Sequence, residues 1–155
     1  MSLGVRDTAE AAVRSGIKFV QFAVRPEEDA AAIDEYLKSL RPTPSPLLVD
    51  GKPSPAAERG GKLFEQAGCA TCHPAPLYTD LKEYDVGTGK GLDKDKKFDT
   101  PTLVEVWRTA PYLHDGRAPT MKELLTKHNP GDKHGATSGL TGEQINDLVE
   151  FVLTR

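Results

Sequence analysis

The stretch that decides the fold is Gly68-Cys69-Ala70-Thr71-Cys72-His73-Pro74. It contains both cysteines of the chain, spaced C-x-x-C, with an imidazole immediately after the second. Three chemistries use such a pair. A dithiol redox site follows a strand and opens a helix, but the residues before Cys69 form a helical pattern with no strand. A structural zinc site needs four Cys or His ligands. The chain has two Cys and four His, but adjacent Cys72 and His73 do not match two-pair zinc spacing. The third chemistry is covalent haem attachment. Both thiols add across the vinyl groups of one macrocycle, and the next residue is carried under the iron, where it must be an imidazole. Only this reading gives Cys69, Cys72 and His73 each a task. The expected cofactor is therefore one covalent haem c with its iron, tethered by Cys69 and Cys72, with His73 as proximal ligand.

Outward from the motif, punctuation and periodicity predict four helices. Ser54 caps a helix with Pro55 in its first turn and Leu63, Phe64 and Ala67 inward, ending at Gly68. Gly60 and Gly61 within it suggest a close backbone approach. An earlier helix follows Pro26, with an apolar stripe at Ile33, Tyr36, Leu37 and Leu40. Thr120 with Glu123, and Thr141 with Gln144, are capping-box pairs opening two more. The stripes there are Met121, Leu124, Leu125 and His128, then Ile145, Leu148, Val149 and Val152. Residues 78–100 read as loops and turns, 103–109 as helix-like, and His114-Asp115-Gly116 as a turn that His114 could brace through Asp115. The organisation expected is a helical appendage over 1–41, a Pro-rich linker over 42–53 and the haem domain over 54–155. The first helix echoes the last, so the appendage reads as a remnant of a preceding domain of the same kind.

The distal ligand is open on sequence. His128 ranks first and His134, in a Gly-rich loop, second. Met121 is third, since a stripe methionine is more often core, and an open position is fourth. Arg108 and Arg117 flank the YLHDG turn and are candidates to pair with haem propionates.

Composition narrows the rest. The chain of 155 residues has 20 Lys plus Arg against 23 Asp plus Glu, a formal charge of −3. That balance argues against a dedicated nucleic-acid binder. With 37% hydrophobic and 28% charged residues the composition is globular. No apolar run approaches the roughly 20 residues of a membrane span, and the first residues do not read as a secretory signal.

GKLFEQAGCATCHPAPLYTD at 61–80, VGTGKG at 86–91 and FDTPTLVEVWRTAPYLHDGRAPTMKELL at 98–125 resemble the C-terminal haem domain of bacterial di-haem cytochrome c peroxidases and related fused cytochrome domains. The resemblance covers about 54–155. It implies a mostly α, class I cytochrome c-like fold, with the helix around Gly60–Ala67 crossing the last helix near Phe151. It also implies export before haem attachment, hence a periplasmic or extracellular bacterial location, and a larger exported parent protein. The family's distal methionine position falls on His128, which suggests bis-histidine ligation. The peroxidases need two haems and this chain has one C-x-x-C-H. The function expected is therefore electron transfer by a mono-haem domain cycling Fe(III)/Fe(II) with an unidentified redox partner protein. The alternative is the haem half of a di-haem peroxidase or oxidase.

Overall fold

The computed structural model describes residues 8–155. Their elements are α1 (Ala9–Ser15), α2 (Glu27–Ser39), α3 (Pro55–Gln66), β1 (Glu83–Tyr84), β2 (Phe98–Asp99), α4 (Met121–Thr126) and α5 (Gly142–Leu153), joined by short 3₁₀ turns. The chain divides into two compact units near residue 42. No helix among the described residues is long and apolar enough to cross a membrane.

The first unit is a helical pair that charge holds together more than apolar packing. Thr8 caps α1, accepting from the Ala11 N–H. A π-helical turn at Gly16–Val20 follows. The Arg14 guanidinium bridges to α2, bonding Asp34 at 2.8 Å and also Glu27. Ala30 and Asp34 are the buried residues of α2. The stripe read from the sequence is instead exposed, from 38% at Ile33 to 64% at Tyr36. α1 itself was not expected, because AEAAVRS carries too few large apolar residues to show a face.

The second unit is built on α3 crossing α5. Ser54 caps α3, accepting from the Ala57 N–H at 3.1 Å, and its hydroxyl donates to Glu150 on α5. Thr141 and Gln144 complete a capping box at the start of α5. At the crossing, Gly60 lies flat against α5. A β-carbon there would stand 2.0 Å from the Asp147 carbonyl oxygen and 2.8 Å from Phe151 Cβ. Beside it, Arg59 Nε and Nη2 grip the buried Asp147 carboxylate, each at 2.7 Å. Leu63 and Phe64 of α3, Leu148 and Val152 of α5, and Met121, Leu124 and Leu125 of α4 share one core with Leu103, Val106, Tyr112 and Ala118.

Several expectations are corrected. Residues 83–84 and 98–99 pair as a short antiparallel ladder inside the segment read as loop. Residues 103–109 form only a 3₁₀ turn at Val106–Arg108, because Glu105 sits in the left-handed region at φ 61°. α4 stops at Thr126, short of His128. Thr120 caps α4, but Glu123 pairs with Lys127 at 2.9 Å rather than completing a box. The segment read as a Pro-rich linker makes contacts of its own within 43–53. Val49 and Lys52 pair across a turn, and Ser45 is buried with its hydroxyl on the Leu153 carbonyl at 2.7 Å.

The crossing yields a prediction. In the haem-loaded protein, Gly60→Ala should cost about 2 kcal/mol or more despite alanine's better helix propensity, because the clash is with backbone. Gly61→Ala meets only the Phe151 ring, at 3.0 Å, which can turn aside, so it should lie within about 1 kcal/mol of the parent. Thermal unfolding followed by circular dichroism separates the two.

Candidate functional site

The C-x-x-C-H segment follows directly from the end of α3. Gly68, at φ 79°, terminates the helix, and Cys69–Thr71 form a 3₁₀ turn whose Cys69 carbonyl accepts the His73 N–H at 2.9 Å. The turn places both sulfurs next to the core edge as half-buried free thiols. Burial pushes the Cys69 thiol up to about 11, with the neighbouring Cys72 adding to it and a hydrogen bond at its own backbone opposing. A redox-active pair needs a depressed thiol, so Cys69 has the wrong environment for dithiol exchange. Among the described residues no three His, Cys, Asp or Glu gather as a metal-holding group, so a four-ligand zinc site is not assembled either.

His73 is buried, and its Nδ1 lies 2.9 Å from the Tyr78 carbonyl. A carbonyl can only accept, so Nδ1 carries the proton and Nε2 presents the lone pair, the arrangement of a metal-ligating imidazole held by a backbone partner. Burial lowers the His73 pKa, opposed by the carbonyls of Tyr78 and Pro101 and by Asp80. The backbone that delivers this carbonyl is pinned. The Asp80 N–H bonds the Cys72 carbonyl at 3.0 Å, and the Thr79 hydroxyl bonds the Thr100 carbonyl at 2.6 Å. The Tyr78 ring packs edge-on to Phe64, and its hydroxyl accepts from Arg155 at 2.8 Å.

The ring brought against His73 is that of His134, with centroids 6.4 Å apart and planes tilted by 35°. His134 Nδ1 is buried without a hydrogen-bond partner, and burial, reinforced by His73, lowers its pKa to about 4. A neutral imidazole with a buried, unpartnered nitrogen is costly unless something bonds that nitrogen. Two imidazoles bonded to one first-row metal from opposite sides, at about 2 Å each, have centroids about 6 Å apart. The observed spacing fits a single metal between the rings.

The other candidates lie elsewhere. His128, beyond the end of α4, is half-buried with its N–H on the Glu123 carbonyl. Met121 is 6% exposed within the core. His114 stacks on Phe98 at 3.9 Å, and its Nε2 stands 3.8 Å from Asp93. It does not brace Asp115, which is occupied by Arg117. Arg108 is likewise paired, with Glu105 at 2.6 Å. Besides His114 Nδ1, three buried donors that sequence reading missed have no partner, Trp107 Nε1, Thr88 Oγ1 and Arg155 Nε. They are the complement of a group bearing carboxylates, and buried indole N–H groups ordinarily find an acceptor. The signals in the sequence were that Trp107 is the single tryptophan and that Thr88 lies between two glycines. Free thiols beside two facing imidazoles fit a haem c.

Comparison with known proteins agrees. Residues 98–130 match the family described as RoxA-like, cytochrome c-like. The hydrazine synthase gamma subunit of Kuenenia stuttgartiensis is 32% identical over 162 residues, covering 76% of this chain and 46% of that protein. The cytochrome-c peroxidase IdrP1 of Denitromonas iodatirespirans is 32% identical, covering 64% of this chain and 40% of its own. The methylamine utilization protein MauG of Methylorubrum extorquens is 29% identical, covering 63% and 34%. The chain thus spans less than half the length of these relatives. A structure of the Kuenenia hydrazine synthase superposes with a TM-score of 0.80 at 30% identity, over 91% of this chain and 60% of that one. A MauG-like protein associated with microbial copper homeostasis shares the fold, with a TM-score of 0.64 at 22% identity. The chain carries a mostly helical c-type cytochrome domain resembling those of the cytochrome c peroxidases and MauG-type proteins.

Proposed function

We propose that this domain is a mono-haem electron-transfer module. Cys69 and Cys72 would tether the macrocycle, His73 would take the proximal position and His134 the distal one. The observation that carries this reading is the buried His73 imidazole facing that of half-buried His134, whose Nδ1 is itself buried, at 6.4 Å between centroids. When bound, haem c supplies a one-electron Fe(III)/Fe(II) couple.

The protein's part is to hold that couple steady. The Tyr78 carbonyl fixes the His73 tautomer and orientation. His134 would hold the opposite side, so that peroxide would find no free coordination position. Histidine in place of methionine at that position favours a lower potential. Trp107 Nε1 and Thr88 Oγ1 are the donors with capacity for the propionates, since Arg108 and Arg117 already have carboxylate partners. The relatives point to an exported parent protein and a periplasmic setting, where the domain would exchange electrons with a redox partner protein or a second haem domain. The peroxidase-half reading draws on the relatives' names and requires an open or displaceable sixth position.

Ferric protein from a haem-c-maturing host should give a low-spin electron paramagnetic resonance signal of two imidazoles. His134→Ala should convert it to mainly high-spin and admit cyanide, whereas His128→Ala should leave it unchanged. A dominant high-spin signal in the parent, with peroxide turnover, would overturn the electron-carrier reading.

Tethering is tested separately. Cys69→Ser and Cys72→Ser should each leave one thioether. The double variant should lose all haem stain on a denaturing gel, whereas the parent keeps it.

A further inference from the structure

The ring of His134 hangs from a loop, not a helix, and the loop is fastened by one buried side chain. Asn129 is 9% exposed. Its Oδ1 accepts the His134 N–H at 2.8 Å. Its Nδ2 donates to the Gly135 carbonyl at 2.7 Å and to Thr137 Oγ1 at 2.8 Å. Thr137 Oγ1 in turn donates to the Leu125 carbonyl at 2.7 Å, tying the loop to α4. A single amide therefore holds the backbone on both sides of the histidine and fastens both to the core.

The remaining contacts close the loop without touching His134. Asp132 accepts the N–H groups of Thr137 at 3.1 Å and Ser138 at 2.9 Å. The Ala136 N–H bonds the Ala67 carbonyl at 2.9 Å. Gly135, at φ 90°, passes so near that a β-carbon would stand 3.3 Å from Cys69 Sγ.

We infer that Asn129 is the positioning residue for the distal ligand, setting how firmly His134 occupies the sixth position and how readily an outside ligand displaces it. This rests on His134 being that ligand. Without the amide, His134 keeps its chemistry but loses the fixed backbone that presents it, and every excursion of the loop frees a coordination site. A preorganised ligand resists competitors because little ordering entropy is lost when it binds. An asparagine that merely stabilised the loop would change unfolding temperature and leave ligand exchange alone.

The test is cyanide binding by the ferric, haem-loaded chain, read by stopped-flow absorbance, with electron paramagnetic resonance and thermal unfolding on the same samples. Asn129→Ala should speed cyanide binding at least tenfold and raise the high-spin fraction, and added imidazole should restore the low-spin signal. Asn129→Asp keeps the acceptor for the His134 N–H and loses both donors, so it should fall between. Thr137→Val, which cuts the tether to Leu125, should also speed binding. Ser138→Ala, which loosens only the Asp132 side, should not. If Asn129→Ala fails to accumulate, Asn129→Asp and Thr137→Val decide the matter. Unchanged cyanide rates in the variants that fold overturn the proposal. His134→Ala separates the two levels. If it leaves the iron low-spin, the ligand assignment has failed. If it opens the iron while the Asn129 and Thr137 variants do not, the assignment stands and the positioning role has failed.

Discussion

The second unit depends on one close approach, that of Gly60 to the Asp147 carbonyl. Because α3 and α5 meet backbone to backbone, with no side chain between them at that point, their relative position is set by van der Waals contact. The Arg59–Asp147 pair and the Ser54–Glu150 bond fasten the same two helices on either side. The C-x-x-C-H turn begins three residues beyond the end of α3, so the helix crossing fixes where the thiols and His73 emerge. A shift of α3 along α5 would carry the His73 imidazole with it.

The placement of His73 is a chain of dependence running through backbone. His73 relies on the Tyr78 carbonyl, and the Tyr78 side chain lies between Phe64 of α3 and Phe151 of α5, with Arg155 stacked on Phe151 at 4.3 Å. The same two helices that place the motif also hold the residue that orients its imidazole. Few of these contacts involve charge pairs in water, so salt should weaken the arrangement little.

Much of this was legible because it is local. Ser54, Pro55, Thr120, Thr141 and Gln144 are caps whose geometry follows from a few neighbouring residues, and the two glycines of α3 announced the crossing. The C-x-x-C-H motif carries its chemistry in five consecutive positions. What was not legible depends on distant partners. The Tyr78 carbonyl has no side-chain signature. His128 and His134 both suit a ligand, and choosing between them requires knowing that α4 stops at Thr126 and that Asn129 folds the chain back. A polar residue in a Gly-rich segment reads as solvent-facing unless the fold shows its burial. The α2 stripe failed the other way. Its period is correct for a buried face, but periodicity cannot say whether anything lies opposite, and in the first unit Arg14 and Asp34 supply the cohesion instead.

The loop from Asn129 to Ser138 bonds mostly to itself, and beside a Lys133–Asp85 ion pair its hydrogen bonds to the rest of the domain run to the backbone carbonyls of Leu125 and Ala67. Carbonyls are common to every residue type, so those two anchor points make no demand on the identity of what they hold. The segment is in that sense an interchangeable part. A different loop of similar span, carrying another side chain or none toward His73, would leave the helices and their packing as they are. One scaffold would then serve as closed carrier or open reaction centre by replacing about ten residues at its rim, where loops tolerate change and the core does not.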